Sequence, residues 1–164
     1  MRPIAPTSTT TTPARASVEG LALFLSLSRL LRAMVDDLHC GLARAGYPRL
    51  RAGHGYLFMA IAAEPKTAIA LARELGISKQ AIAQLLEVLL EERYVERRTN
   101  PDDRREQLIR LTGKGRAVTR KAARILDEIE QRWAMDVGSD TLARLQEAAQ
   151  TIATAEPGAA RPIW

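Results

Sequence analysis

Ser78-Lys79-Gln80-Ala81, with Gln84 one helical turn on, is the stretch best equipped to read a nucleic acid. A Gln amide can pair bidentately with adenine, a Lys ammonium can reach guanine, and a Ser hydroxyl serves base or phosphate. Ala81 is small enough to let the backbone approach, or to touch a thymine methyl. On a helix, Lys79, Gln80, Ala83, Gln84 and Glu87 fall opposite an apolar stripe of Ile82, Leu85, Leu86 and Leu89. A second chemically marked stretch is Asn100-Pro101-Asp102-Asp103-Arg104-Arg105, a turn by composition. There the Asp103 carboxylate is placed to hold one guanidinium while the other projects. An Arg carried on a narrow ribbon can enter the minor groove, whose negative potential attracts it.

These residues need elements to position them. Thr67 is an N-cap by type, and Ala68, Leu71, Ala72 and Leu75 follow at helical spacing. Gly76 supplies the left-handed residue of a tight turn, Ile77 plugs that turn into the core, and Ser78 caps the next helix. Tyr94 to Thr99 and Glu106 to Leu111 read as short strands around the charged turn, with Val95, Ile109 and Leu111 inward at period two.

The strings LARELGISKQAIAQLLEVL, ERYVERR and PDDRREQLIRLTGKG resemble the MarR family of winged helix-turn-helix transcription regulators. The likeness is close over residues 50 to 118 and looser, by pattern, over 18 to 152. It implies a mainly α fold ordered helix–helix–helix-turn-helix–two-stranded β wing–helix–helix. It also implies an interlocked homodimer in which the first helix and the last two engage their counterparts. On that resemblance Ser78, Lys79, Gln80, Ala81 and Gln84 face the major groove. Arg104 or Arg105, positioned by Asp103, reaches the minor groove, and Arg73, Arg97, Arg98 and Lys114 are candidates for phosphate contacts. The operator expected for a two-fold protein is pseudo-palindromic double-stranded DNA. Most members of the family repress and release DNA on binding a small aromatic effector, lodged between the dimerisation helices and the DNA-binding lobe. His39, His54, Tyr56, Phe58 and Met59 are candidates for such a pocket, with core packing as the competing reading. Some members sense peroxide or thiols through a cysteine. Cys40 is the candidate here, although Asp36 and Asp37 would oppose a thiolate beside them.

Length and composition fit this assignment. The chain has 164 residues, a net charge of +5 and one cysteine, which excludes an intrachain disulfide framework. Eleven Lys or Arg face four carboxylates between Arg93 and Arg124, so this segment carries +7 and the remainder −2. The positive excess falls on the wing and the helix after it, where phosphate contacts are wanted. No secretory leader or membrane-spanning run is evident, so the expectation is a cytoplasmic protein that does not engage a membrane. No catalytic constellation, cofactor motif or phosphate-binding Gly loop appears, and His39, His54 and Cys40 lack metal-ligand spacing, so neither an enzyme nor a metal protein is expected.

Residues 1 to 17 are Pro- and Thr-rich and are expected to be a disordered tail. A single domain is expected over 18 to 155, with the winged lobe at about 50 to 112 and dimerisation helices at about 18 to 43 and 113 to 155; 156 to 164 form a second tail. The first helix carries Phe24, Leu27, Leu31, Met34, Leu38 and Leu42 at helical spacing, with Leu21, Leu23, Leu25, Leu30 and Val35 widening the apolar girth. Such a girth needs several neighbours, either a second subunit or the other helices of the same chain. A break is expected from Gly41 to Arg51, then a short helix in which Gly53 and Gly55 imply close backbone packing. Glu64 to Lys66 is expected to be a linker. Gly113-Lys114-Gly115 reads as a helix start. Two alternatives to a DNA-binding repressor remain: a winged helix retained for protein–protein contact, and a redox regulator acting through Cys40.

Overall fold

The computed structural model describes residues 13 to 155, with side chains from residue 21 onward. The elements are α1 (Pro13–Arg44), α2 (Ala52–Ala60), β1 (Lys66–Thr67), α3 (Ala68–Leu75), α4 (Lys79–Glu91), β2 (Val95–Thr99), β3 (Gln107–Leu111), α5 (Gly113–Val137) and α6 (Ser139–Ala155). The chain divides into two compact units between Val35 and Asp36.

The first unit holds most of α1. This helix starts at Pro13, inside the segment expected to be a disordered tail. Proline has no N–H to leave unsatisfied and its fixed φ suits the first helical position. The other residues expected as tails, 1 to 12 and 156 to 164, lie outside the described residues. Leu21, Leu23, Phe24, Leu25, Leu27 and Leu30 are 41 to 64 % exposed.

The second unit contains the winged lobe. Thr67 Oγ1 accepts from Ala70 N–H at 3.1 Å to cap α3, and Gly76, at φ 62°, ends it in the left-handed conformation. Ser78 Oγ then accepts from Ala81 N–H at 3.1 Å to start α4. Ile82, Leu86 and Leu89 bury the inner stripe of α4 against Leu71, Leu75, Leu57 and Phe58 in one core. Burying each such side chain contributes about 1.5–3 kcal/mol relative to exposure.

The two-stranded β2–β3 wing is present, and β1 joins it to make a three-stranded antiparallel sheet in the order β1-β3-β2. Lys66, expected in a linker, pairs opposite Ile109, and Thr67 opposite Leu108. A strand of two residues has no room for an alternating pattern, so hydropathy does not mark it. Between β2 and β3, Val95 faces Leu111, Glu96 faces Arg110, Arg97 faces Ile109 and Arg98 faces Leu108.

Glycines at two close approaches explain the local packing. Gly41 does not break α1, which continues to Arg44. A Cβ there would stand 2.8 Å from Ile125 Cγ2, so its missing side chain admits α5. Gly115 is more constrained, because a Cβ would lie 2.1 Å from the Tyr94 carbonyl oxygen. Gly55, by contrast, has nothing within 4 Å of where a Cβ would stand, so close packing is not the reason for it. On α5, Val118, Ile125 and Ile129 are buried and Ala122, Leu126 and Trp133 pack beside them. Leu142 alone among the described α6 residues is buried, while Leu145 and Ile152 are exposed.

Candidate nucleic-acid interface

The first two turns of α4 present Ser78, Lys79, Gln80, Ala83 and Gln84 on the exposed side of the lobe. Ala81 is half-buried, so the small residue on the open face is Ala83. Ser78 uses a lone pair for the cap and keeps its O–H for donation. Gln80, Ala83, Gln84, Glu87 and Leu90 line an open depression of about 700 Å3, and Arg97 of β2 completes its edge.

Arg97 and Arg98, grouped together by sequence, part company in the sheet. The register puts Arg97 on the same side as Val95, Ile109 and Leu111, which is the side packed onto the helices. Glu96, Arg98 and Arg110 occupy the other side. There Glu96 Oε1 accepts from Arg98 Nε at 3.2 Å and from Arg110 Nε at 2.5 Å. These two guanidiniums hold the Glu96 carboxyl below its ordinary pKa, the hydrogen bond from Arg110 being the main cause.

The wing tip closes on backbone bonds. Asp103 Oδ1 accepts from Arg105 N–H at 2.9 Å, and the Asp103 carbonyl accepts from Glu106 N–H at 2.9 Å. Asn100 Oδ1 accepts from Asp102 N–H at 3.1 Å in the same manner. Asp103 therefore shapes the turn rather than clamping a guanidinium, because a short Asx side chain reaches the amide two residues on more readily than a long flexible neighbour. Arg104 and Arg105 are exposed, and no ion pair among the described residues engages either. Arg73 is exposed on α3.

Lys114 is committed within the protein. Its Nζ donates to the Glu92 carbonyl at 2.8 Å, lies 3.3 Å from Glu92 Oε2 and sits 4.3 Å from the centroid of the Tyr94 ring. Tyr94 is buried, with Tyr47 and Phe58 edge-on to it at 6.2 Å. Burial is the main reason its phenol titrates above the ordinary value. Thr112 Oγ1 donates to the Arg93 carbonyl at 2.7 Å and accepts from Gly115 N–H at 3.1 Å, capping α5. Arg93 adopts φ 58°, the left-handed turn that carries α4 into the wing. Arg49, which sequence reading passed over, binds Glu91 Oε2 at 2.6 Å and Glu92 Oε1 at 2.9 Å. Two carboxylates at a helix C-terminus oppose its dipole, and that unfavourable pairing was the available signal for a cationic partner.

The residues proposed for an effector pocket do not converge. Phe58 is buried in the core, Met59 is 71 % exposed, and Tyr56, two residues before Phe58, is half-buried. His39 and His54 do meet, at the start of α2. His39 Nε2 accepts from Ala52 N–H at 2.8 Å and His54 Nδ1 accepts from Arg51 N–H at 3.0 Å. These are orphan donors of a helix N-terminus, here satisfied by imidazoles. Burial, then the Arg51 charge, pushes His54 down to about 4, and lowers His39 for the same reasons. Cys40 is exposed near the end of α1. Among the described residues no group of three His, Cys, Asp or Glu could hold a metal, and no helix is long and apolar enough to cross a membrane.

A helix-turn-helix, a charged antiparallel wing and a following long helix define a winged helix-turn-helix protein. Residues 46–106 match the model of the MarR family. That segment is thus similar to the MarR family of transcription regulators. No curated protein matches the sequence. Among solved structures, the transcriptional regulator BldR from Sulfolobus solfataricus is similar at TM-score 0.64 and 22 % identity, over 84 % of this chain and 96 % of that one. The reduced form of MarR from E. coli is similar at TM-score 0.68 and 21 % identity, over 79 % and 95 %. The transcriptional repressor CouR, bound to a 23-mer DNA duplex, is similar at TM-score 0.67 and 24 % identity, over 89 % and 99 %.

Proposed function

We propose that the protein is a homodimeric, sequence-specific DNA-binding transcription regulator. The observation that carries this reading is a single exposed surface of α4 bearing Lys79, Gln80 and Gln84, with Arg104 and Arg105 at the wing tip engaged by no ion pair among the described residues. Donors and amides on a helix face suit base edges, and unpaired guanidiniums on a ribbon suit the minor groove. Arg73 and Arg97 supplement them. Lys114, already engaged by Glu92 and Tyr94, is left out of the contact set.

Dimerisation follows from the apolar side chains that a single chain leaves in water. Leu21, Leu23, Phe24, Leu25, Leu27 and Leu30 on α1, and separately Leu145 and Ile152 on α6, have the exposure of an unmade interface. A second copy covers them, as the family's architecture implies. The similarity to a transcriptional repressor bound to a DNA duplex supports repression as the sign of regulation. Release by a small aromatic effector belongs to this reading as the family's usual trigger.

The test is selection of bound duplexes from a random pool at near-physiological salt, with the mass in solution measured alongside. A two-fold motif whose half-sites lie about one helical turn apart, bound by a dimer, is the expected result. A folded dimer that enriches no sequence would instead support the protein–protein alternative, and a folded monomer would remove the dimer.

A further inference from the structure

The depression beside the recognition helix contains a side chain that a general DNA-binding surface does not need. Glu87 is exposed and lines this surface together with Gln80, Ala83, Gln84, Leu90 and Arg97. It lies seven residues after Gln80 and three after Gln84, on the same face, so the three form a row along α4. No ion pair among the described residues involves Glu87, although the nearby acids Glu91, Glu92 and Glu96 each have at least one. Its carboxylate is thus neither a support for the fold nor an offset to a neighbouring helix charge.

Opposite DNA a carboxylate is repelled by phosphate and can only accept hydrogen bonds. The major-groove edge of cytosine offers the matching group, the N4 amino donor, and Glu is a recognised acceptor for it. Gln80 and Gln84 can both donate and accept, and so tolerate several bases; Glu87 cannot. Arg97 stands on the same depression and brings a positive charge that offsets the repulsion of the backbone from this patch. The register explains why Arg97 does this and Arg98 does not, since Arg98 is on the far side of the sheet with Glu96.

We propose that Glu87 is a specificity-determining residue of the DNA face, selecting a cytosine at one position of each half-site and rejecting other bases there. This inference rests on the DNA-binding reading above. It places discrimination in the second and third turns of α4, beyond the helix start where Lys79 and Gln80 lie.

The experiment repeats the random-pool selection with the full chain, as wild type, Glu87→Ala and Glu87→Gln. For the wild type a two-fold motif with one cytosine-dominated position per half-site is expected. In Glu87→Ala that preference should fall on the order of tenfold while the rest of the motif persists. Affinity for random duplex should rise, since one negative charge has left the surface. Glu87→Gln should broaden the same position toward adenine. A wild-type motif reproduced unchanged by Glu87→Ala overturns the inference and leaves the regulator reading standing. A motif weakened evenly at every position, with lower urea resistance of the variant, also overturns it by making Glu87 a structural residue. A wild type that enriches nothing overturns the DNA-binding reading itself.

Discussion

Replacing His54 by Asn should remove most of the acid sensitivity of this fold between about pH 6.5 and 5. In the folded chain the His54 imidazole is 5 % exposed and its Nδ1 accepts from Arg51 N–H at 3.0 Å. It can do this only when neutral, because an imidazolium has two donors and no acceptor. The groups facing it are Arg51, whose charge disfavours protonation, and His39, whose own protonation would add to that; Asp36 acts in the opposite direction on His39. Burial and Arg51 hold the folded pKa at about 4, against 6.5 for the free side chain. The unfolded chain therefore binds more protons than the folded chain between these values, and unfolding becomes easier as pH falls. The contribution is intact above the unfolded pKa and is lost progressively toward the folded one. At 1.36 kcal/mol per unit, stability should drop by about 2 kcal/mol from neutrality to pH 5 on account of His54 alone. His39, shifted in the same direction, adds to the loss.

The assay is urea unfolding at a fixed protein concentration, at several pH values between about 7.5 and 5. Fixed concentration matters because a dimer's apparent stability varies with it. An Asn side-chain oxygen can take the place of Nδ1 as acceptor and does not titrate. The Asn variant is expected to be less stable than wild type near pH 7.5, by about 1 kcal/mol from lost packing, and the two curves should meet and cross as pH falls toward about 5. Glu91, Glu92 and Glu96 are all held below their ordinary value of 4.5 by Arg partners, so their losses begin under this window and do not mimic the effect. Parallel curves for wild type and His54→Asn would refute the assignment of His54 as a neutral acceptor.

Gly115→Ala should cost about 3 kcal/mol or prevent folding, because the added carbon meets the Tyr94 carbonyl and neither backbone can retreat. Gly55→Ala, on a helix with open space around it, should gain about 0.5–1 kcal/mol; equal urea midpoints for the two would sink the packing argument. Gln80→Ala should weaken binding to the selected motif by about 1–3 kcal/mol and leave random DNA nearly unaffected. Equal losses on both DNAs in a competition titration would take base reading away from Gln80. Changing Arg104 and Arg105 together to Ala should reduce the salt slope of binding by up to about two phosphate-equivalents, and an unchanged slope would put the wing off the DNA.

The parts of this fold that sequence made legible are those governed by local rules. Caps at Thr67 and Ser78, the left-handed Gly76 and the inner stripe Ile82-Leu86-Leu89 each have a residue type that the local geometry demands. What stayed hidden depends on contacts distant in sequence. Strand β1 exists because β3 offers it an edge, not because Lys66-Thr67 has strand character. Gly55 and Gly115 look alike in the sequence, yet only Gly115 lies against another backbone. For the candidate site, residue type named Gln80, Gln84, Arg104 and Arg105, but not their partners. Strand alternation from the inward Val95 separates Arg97 from Arg98, but residue type did not show that Glu96 would engage Arg98 and Arg110. Likewise, Lys114 looked like a phosphate ligand until Glu92 and Tyr94 were brought to it from about twenty residues earlier.

That last junction bears on how such a protein can be controlled. Arg49 joins α2's approach to the end of α4, Lys114 joins α5 to the same end, and Thr112 joins α5 to the turn before β2. Gly115 seats the first turn of α5 directly on the Tyr94 carbonyl. With so many bonds crossing at Glu92 to Tyr94, α4, the wing and the start of α5 should move as one body. A signal that altered the angle between α4 and the wing would have to break several of these bonds at once. A change that moves the whole body, the first turn of α5 included, breaks none of them. In a dimer, regulation is therefore expected to act on the separation of two intact reading surfaces, and that separation is what a half-site spacing measures.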